Sequence, residues 1–496
     1  MVTDDGLARD RVKLEASTGD VTTKCSLPPL SSESSNHGDG RQDSRDGIHS
    51  YFESAQWTAD GTALLTYSST NLISGYIVPE NLLSAHGEPL TLAPQARIQL
   101  PEPSSALSGA PYFSLAEPWT QQLLVSARDH PIQLFYLAPS PASIGSHSPI
   151  SSYPFTKARS ETFLTATSLL WPSPGTHFIA GSRSLLARFD VQRTGDEPLV
   201  RIRTIPSERH LSKGGGVGMR GTVSTLGAQP MDLGNGASLV AAGTWTRWVG
   251  LYDFAQAGEC VATWSIGAAV RAATAERENG NQQKENNEEW DRVGGDGVTQ
   301  TVWSPCGQYL LICERKSCSA LIYDVRVTGK LLGYLAGRDA VGNQRVACDV
   351  FPGTSESGGF EVWSGTSSGT VKVWEGVGSR EGSHQPAWGW DAHRSTVGST
   401  CVHPSGTVVA TCAGSWEFPE EDDTLYSEIS NSNSSKSDTG SDDDSDASES
   451  DNETNVSEDR MPWMRRRNKE SSLKIWSIGG IQLTGEEGSL EEKGLI

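Results

Sequence analysis

The sequence predicts an all-β chain folded as a seven-bladed propeller, and two recurring patterns carry that prediction. In the first pattern, a short β-branched stretch ends in an aromatic residue, which in most cases precedes a small polar or acidic residue. The seven endings are Tyr76, Phe135, Phe189, Tyr252, Tyr323, Trp374 and Trp476. Such endings are typical of the blades of a WD40 β-propeller.

The second pattern is a turn signal upstream of four of these endings. An apolar residue is followed by a turn that contains Pro or Asp and closes with Gly. Pro presets φ and Gly accepts positive φ, so each signal predicts a strand, a tight turn and a second strand. The four segments are 57–61, 171–175, 303–307 and 402–406.

The spacing of the endings assigns the remaining residues to loops. The endings lie 51 to 102 residues apart, whereas a WD40 blade takes roughly 40 to 45 residues. One blade cannot bury both faces of its sheet, so blades stack radially, and seven of them make a closed ring.

Composition divides the chain into four regions. Residues 1–50 mix Ser, Asp and Gly with few aromatics and are expected to be disordered. The propeller is predicted over 51–484, and 485–496 form a C-terminal tail. A Ser/Asp-rich insert, 415–471, is expected to be disordered and to interrupt the seventh blade between its second and third strands. Either the segment 481–483 or a segment before Tyr51 closes the ring.

Net charge is −21, which argues against a nucleic-acid partner, but its distribution changes that inference. Residues 417–459 hold 16 acidic side chains and one basic side chain, so the rest of the chain is close to balanced.

The cysteine pattern and the apolar runs limit the other classes. The eight cysteines form no CxxC pair, which favours reduced core cysteines and predicts no metal or cofactor. No apolar run approaches the roughly 20 residues that span a bilayer, and no secretory leader is recognisable, so we expect neither a membrane nor a secreted protein.

Basic residues recur in loops that reach one face of the ring. In a WD-type blade, this face receives the loop between the second and third strands and the loop into the next blade. Six consecutive blades place a cation there, and the predicted RNA-binding set is Arg128, Arg183, Arg247, Arg315, Lys316, Arg345 and Arg394, with Trp245 and Trp248 as stacking platforms. Arginine binds phosphate in a bidentate manner and aromatic rings stack on unpaired bases. The alternative is that these are turn arginines that pair locally, as Arg128 could with Asp129.

Two further hypotheses concern the insert. The cluster Arg465, Arg466, Arg467 and Lys469 resembles a nuclear-import signal. Ser435, Ser441, Ser448 and Ser450 each have an acid three residues later, which predicts phosphorylation by an acid-directed kinase. We find no catalytic constellation, so the sequence predicts a protein that is not an enzyme and has no small-molecule substrate.

Several segments also resemble a known family. They are 55–61 with 71–80, 128–132, 250–252, the Asn343-Gln344-Arg345-Val346 motif, 364–374, and 415–420 leading into the acidic stretch. Together they resemble the WD-repeat telomerase Cajal body protein 1 family. The long loop 272–297 and the large insert depart from its animal members, so the resemblance is closer to the fungal members associated with small nuclear ribonucleoproteins and pre-mRNA splicing.

The resemblance implies a non-enzymatic nuclear scaffold. Its partners would be small nuclear ribonucleoproteins, U1 first, or small RNA, and it would assist splicing by stabilising U1 at the 5′ splice site. Arg345 lies both in the family-like motif and on the predicted basic face. The alternatives are a factor that localises small RNA or telomerase RNA to Cajal bodies, and an adaptor that binds only proteins.

Overall fold

The computed structural model describes residues 11–21, 50–137, 148–205, 218–230, 239–279, 293–353, 358–415 and 470–479. Within them, 30 strands form seven sheets, each with an antiparallel core of four strands. The sheets are the blades of a β-propeller, so the predicted fold is confirmed.

In chain order, the first ten strands are β1 (Val12–Ser17), β2 (Phe52–Trp57), β3 (Ala63–Ser68), β4 (Leu72–Ile77), β5 (Leu90–Thr91), β6 (Ala96–Gln99), β7 (Ser104–Gly109), β8 (Gln122–Ala127), β9 (Ile132–Tyr136) and β10 (Ser151–Tyr153). The next eight are β11 (Ser168–Leu170), β12 (His177–Ser182), β13 (Leu185–Asp190), β14 (Val200–Arg203), β15 (Val223–Ala228), β16 (Leu239–Thr244), β17 (Trp248–Asp253) and β18 (Glu259–Ser265). The last twelve are β19 (Val298–Trp303), β20 (Tyr309–Glu314), β21 (Ala320–Asp324), β22 (Leu331–Leu335), β23 (Cys348–Pro352), β24 (Phe360–Gly365), β25 (Thr370–Val377), β26 (Gly382–His384), β27 (Trp388–Asp391), β28 (Val397–Val402), β29 (Val408–Ala413) and β30 (Ser472–Ile478).

The blades follow one another along the chain. Their orders are β2-β3-β4-β6, β7-β8-β9-β10, β11-β12-β13-β14, β15-β16-β17-β18, β19-β20-β21-β22, β23-β24-β25-β27 and β28-β29-β30-β1 for blades 1 to 7. The first strands of most neighbouring blades lie against one another, and β2 of blade 1 contacts β28 of blade 7. The first strand of each blade is therefore the innermost strand of the ring.

Both predicted patterns lie where a blade needs them. All seven aromatic endings are in third strands: β4, β9, β13, β17, β21, β25 and β30. All four turn signals join first to second strands, and their closing glycines have φ between 68° and 93°. Aspartates that follow an aromatic ending accept a hydrogen bond from the turn; Asp253 takes one from the Ala255 amide and Asp324 one from the Arg326 amide.

The second strands show why period-two patterning is weak in this sequence. Every residue of β3 and of β29 is buried. Both faces of such a strand are covered by the adjoining blades, so the strand reads as a continuous run of small and apolar residues.

The ring closes through the N-terminal segment. β1 pairs antiparallel with β30, with Val12 opposite Ile478 and Ser17 opposite Lys474. The expectation of disorder over 1–50 therefore fails at Val12–Ser17, because β1 satisfies the outer edge of β30 and buries Ala16. Of the two alternatives for closure, the segment before Tyr51 is the one used; residues 481–483 and the tail 485–496 lie outside the described residues.

Two blades carry a fifth strand. β5 pairs parallel with β1 at the outer edge of blade 7, and β26 pairs parallel with β22 at the outer edge of blade 5. Each comes from the loop after the third strand of the next blade, so it ties neighbouring blades together and covers an exposed edge.

The first residues of the segment 272–297, which was expected to be a loop, are helical. α1 spans Ile266–Asn279, because its alanines favour helix and because Ile266 and Ala269 are buried against blades 4 and 5. Short 3₁₀ helices lie at Pro118–Thr120, Phe254–Gln256 and Val325–Val327. No described helix has the length and apolar character that crossing a membrane requires.

Candidate functional site

One face of the ring is built from two kinds of loop, as the blade order requires. We call it the top face: the loops between second and third strands and the loops that enter the next blade. Backbone hydrogen bonds join the two kinds. The Ser184 amide donates to Gly221 O at 3.0 Å, the Trp245 amide to Thr222 O at 3.1 Å, and the Lys316 amide to Gly342 O at 3.1 Å. All the predicted RNA-binding residues lie in or beside these loops.

Three cations of this face on blades 2 to 4, Arg128, Arg183 and Arg220, have no acidic partner in the described part of the chain. Arg128 and Arg183 are exposed in the second-to-third-strand loops of blades 2 and 3. Arg220 precedes the first strand of blade 4. Among the described residues, no carboxylate forms an ion pair with any of the three.

Arg183, Arg220 and Trp245 are brought together by the segment 220–222. Arg183 pairs with Thr222 through an isolated β-bridge. Thr246 donates its hydroxyl to Arg220 O at 2.7 Å, and Trp245 is 41% exposed. We call Arg128, Arg183, Arg220 and Trp245 the open sector. It combines guanidinium groups that have no described acidic partner with an accessible indole ring.

Trp248, the second predicted stacking platform, has a different environment. It is half-buried against the apolar cluster between blades 3 and 4. The Arg220 guanidinium carbon lies 5.8 Å from the centroid of its ring. One face of this indole is therefore already occupied by a cation, so it helps to position Arg220.

Arg247 is held by a buried acid. Its Nε and Nη2 atoms donate to Glu314 Oε1 at 2.7 Å and Oε2 at 3.0 Å. The Glu314 side chain is 1% exposed and also accepts from the Gly295 amide at 2.9 Å. Arg247 thus joins blade 4 to blade 5 with a bidentate ion pair, and two of its donor groups are taken.

The two neighbouring cations of blade 5, Arg315 and Lys316, differ in exposure. Arg315 is half-buried, and its Nε has no hydrogen-bond partner among the described atoms. Lys316 Nζ lies 3.2 Å from Asp296 Oδ2, with both side chains about half exposed. Such a surface pair is weak and leaves Lys316 accessible.

The family-like motif lies where blades 6, 7 and 1 meet. Gln344 Nε2 donates to Gly414 O at 2.7 Å, so this loop reaches across to blade 7. Arg345 is exposed to solvent, yet the protein atoms around it lower its pKa, and Glu53 of β2 opposes that shift. Burial raises the pKa of Glu53, and Arg345 partly offsets the rise. The two groups are therefore electrostatic partners at the inner rim.

Arg394 meets a second buried acid, Glu470. The Arg394 amide donates to Glu470 Oε2 at 2.7 Å, and its Nε lies 3.7 Å from the same oxygen. Lys474 Nζ lies 2.8 Å from Glu470 Oε1, and Ser472 Oγ donates to that oxygen at 2.6 Å. Burial alone raises the pKa of Glu470, but these bonds and one from His393 hold it far below its usual range.

His393 is buried and has a structural role in blade 7. Trp476 Nε1 donates to Thr411 Oγ1 at 2.9 Å, and that hydroxyl lies 2.8 Å from His393 Nε2. Because Ser472 donates to Glu470, the Ser472 oxygen accepts from His393 Nδ1 at 3.0 Å, with Glu470 Oε1 3.2 Å from the same nitrogen. Nε2 is then the acceptor of the Thr411 hydroxyl. Burial lowers the pKa of His393, which agrees with a neutral ring.

We call Arg247, Lys316, Arg345 and Arg394 the paired sector. The first two and Arg394 form ion pairs with Glu314, Asp296 and Glu470, and Arg345 interacts electrostatically with Glu53. Gly414 and Glu470, which flank the acidic insert, also lie on the top face. The predicted import cluster and the four predicted phosphorylation sites lie outside the described residues. Arg220 was missed by the sequence argument, although its place just before β15 is the same kind of entry-loop position as that of Arg345.

In the described ranges, no group of three or more His, Cys, Asp or Glu side chains could hold a metal ion. The fold and the top face define a seven-bladed β-propeller scaffold of the WD-repeat type, whose loops present charged and aromatic side chains on one side.

Sequence comparison then places this scaffold among known proteins. The chain is similar to Telomerase Cajal body protein 1 of Bos taurus, with 25% identity over 382 residues that cover 75% of this chain and 59% of the relative. It is also similar to Guanine nucleotide-binding protein negative regulator 1 of Schizosaccharomyces pombe, with 22% identity over 76% of this chain and 83% of the relative. Protein SWT21 of Vanderwaltozyma polyspora is 26% identical over 64% of this chain and 66% of that protein.

These relatives, one from an animal and two from fungi, confirm the resemblance that the motifs indicated. The matched region spans about three fifths of the length of the telomerase Cajal body proteins. No family model matches the chain.

Proposed function

We propose that this chain is a non-enzymatic nuclear scaffold whose top face binds RNA of small nuclear ribonucleoproteins and assists pre-mRNA splicing. The observation that carries the proposal is the open sector, where backbone contacts through the segment 220–222 join the loops that carry Arg183, Arg220 and the exposed Trp245. Guanidinium groups beside an accessible aromatic ring suit phosphates and an unpaired base. The word telomerase in the name of a relative supports an RNA-containing partner.

The finer parts of the proposal follow the family resemblance. The ribonucleoprotein is U1, and the scaffold stabilises its pairing with the 5′ splice site. Import uses the cluster Arg465, Arg466, Arg467 and Lys469, and phosphorylation of Ser435, Ser441, Ser448 and Ser450 adds negative charge to the insert. Arg345, Arg394 and Lys316 supply further phosphate contacts beside the open sector, since each keeps an exposed side chain.

The test is RNA recovery from cells. The tagged protein is purified from extract at moderate salt and the retained RNA is sequenced, for the wild type, for Arg345→Glu and for the double variant Arg183→Glu/Arg220→Glu. Arg193→Glu is the matched control, because Arg193 is an exposed arginine in the loop between the third and fourth strands of blade 3, on the opposite face.

We expect spliceosomal small nuclear RNAs to be enriched with the wild type and the control, and to be absent with the two top-face variants. Equal recovery from all four proteins would exclude the top face as the RNA-binding surface.

The name of the relatives favours a second candidate, a factor that localises small RNA in Cajal bodies. The same sequencing separates the two, since enrichment of Cajal-body or telomerase RNA in place of spliceosomal RNA would select the second. If no RNA is enriched and protein partners persist after ribonuclease treatment, the chain is an adaptor that binds only proteins.

A further inference from the structure

Two buried thiols meet at the boundary between blades 5 and 6. Cys313 is the penultimate residue of β20, and Cys348 is the first residue of β23. Their Sγ atoms are 3.3 Å apart, and the residues are 0% and 4% exposed. Of the seven described cysteines, all of them free, these two alone have sulfur atoms in contact.

One glutamine side chain holds both positions in place. Gln300 of β19 lies opposite Cys313 in the blade 5 sheet. Its Oε1 accepts from the Cys348 amide at 2.9 Å, and its Nε2 donates to Cys348 O at 2.8 Å. The first strand of blade 6 is thereby fixed against blade 5, and the two thiols are kept facing each other.

A buried guanidinium lies beside the pair. Arg338 is 1% exposed, and its described partners are neutral: Glu314 O at 3.3 Å, Val346 O at 2.5 Å and Ser364 Oγ at 3.3 Å. The hydrogen bond from Cys348, together with the Arg338 charge, lowers the pKa of Cys313, while the pKa of Cys348 is raised. The Arg338 charge therefore favours ionisation of Cys313, which makes Cys313 the sulfur of the pair better suited to attack.

We propose that Cys313 and Cys348 form a redox pair, which a hydroperoxide converts into a disulfide that joins blade 5 to blade 6. The Cys313 thiolate attacks a peroxide oxygen and becomes a sulfenic acid, and the oxygen that leaves takes up a proton as water (or as an alcohol from an organic peroxide). Cys348 then attacks the sulfenic sulfur, and the hydroxyl group of the sulfenic acid leaves as water. Both thiols are oxidised by two electrons in total, and the peroxide is reduced by two.

The geometry demands little movement. A disulfide places the sulfurs about 2.05 Å apart, so the two sulfur atoms need to approach each other by roughly one ångström. The cross-link would lie beneath the loop that carries Arg345, since Cys348 follows that residue by three positions and Val346 O is held by Arg338. The inference is independent of the proposed RNA function, because it concerns only the bond between the blades.

The experiment uses the full chain in its folded state. The protein is treated with hydrogen peroxide, unfolded in the presence of iodoacetamide, digested without reductant and analysed by mass spectrometry. We expect a peptide linked through Cys313 and Cys348, abolished by dithiothreitol before alkylation. Its appearance should raise the guanidinium midpoint of unfolding, because a cross-link constrains the unfolded chain.

Two variants and one condition make the result decisive. Cys412→Ser removes a buried cysteine of blade 7 and should leave the linked peptide unchanged, whereas Cys313→Ser should remove both the peptide and the shift of the midpoint. Peroxide added after unfolding should give scrambled pairs. Folded wild-type protein that forms no such peptide, or that links other cysteines instead, would overturn the proposal.

Discussion

The top face carries cations on two groups of blades, and the surroundings of these cations differ between the two groups. On blades 2 to 4, Arg183 and Arg220 lie in loops bonded to the loop of the exposed Trp245, and no described acid pairs with them. On blades 4 to 7, Arg247 and Arg394 face carboxylates whose side chains are only 1% and 7% exposed. The same loop register therefore delivers two kinds of arginine: one kind has no described acidic partner, and the other compensates a buried carboxylate, as Arg247 does with two side-chain bonds to Glu314.

The largest expected effect comes from breaking the paired sector at Arg247. Arg247→Met should lower the free energy of unfolding by about 3 to 5 kcal/mol, because it leaves the buried Glu314 carboxylate without its cation. Guanidinium denaturation measures the change. The matched control is Arg183→Met in the open sector, which should stay within about 0.5 kcal/mol of the wild type. Equal destabilisation of both variants would show that burial of the acid does not distinguish the sectors.

The second effect depends on pH and concerns Glu470. Glu470→Gln should cost about 2 to 3 kcal/mol at neutral pH, since the carboxylate accepts bonds from His393, Lys474, Ser472 and the Arg394 amide. Its folded pKa is depressed below the value of 4.5 that it has when unfolded. The stabilisation is therefore fully present above about pH 4.5 and is lost as the pH falls towards the folded pKa.

Denaturation midpoints of the wild type and Glu470→Gln between pH 3 and 7 would test this prediction, and the difference between the two proteins should shrink below about pH 4.5. A difference that stays constant over this range would mean that the Glu470 charge contributes nothing to stability.

The third effect is on binding and concerns Trp245. Trp245→Ala should weaken binding of a single-stranded RNA by about 1 to 3 kcal/mol, because a base no longer has its stacking surface, whereas Trp245→Phe should restore most of that affinity. Fluorescence anisotropy with a labelled oligoribonucleotide measures the affinity, and the slope of log affinity against log salt should remain unchanged. In contrast, Arg183→Glu/Arg220→Glu should make that slope shallower, by about 0.7 for each phosphate that the protein no longer neutralises. If Trp245→Ala binds as the wild type does, the indole does not touch the RNA.

The sequence predicts more of the fold than of the site. The aromatic endings and the Gly-closed turns predicted the seven blades, because each reflects a local requirement: an aromatic in a buried third strand or a positive φ at a turn. Ring closure was open between two segments, and Val12–Ser17 was not identified as the strand, since six residues within a polar segment acquire their pairing only from β30. The two-residue strand Leu90–Thr91 likewise exists only because the edge of β1 is near.

For the site, register alone placed the cations on one face, but it could not separate the two sectors. That separation depends on Glu314 and Glu470, which are distant in sequence from the arginines they bind. Glu314 looks like an ordinary residue at a strand end, and Glu470 follows a basic run at the end of the insert. Their burial follows from the packing of neighbouring blades, which a single sequence does not display.

The smallest expected effect tests where the paired sector ends. Lys316 and Asp296 form an ion pair at 3.2 Å, but their side chains are 48% and 56% exposed, unlike Glu314 and Glu470. Water and salt screen such a pair, so Asp296→Asn should change the free energy of unfolding by less than about 0.5 kcal/mol. The substitution also releases Lys316, so RNA affinity at low salt should rise slightly, and this increase should vanish as salt is added. A large loss of stability in Asp296→Asn would instead show that the loop 293–297 depends on this ion pair, and Lys316 would then belong with Arg247 as a structural cation.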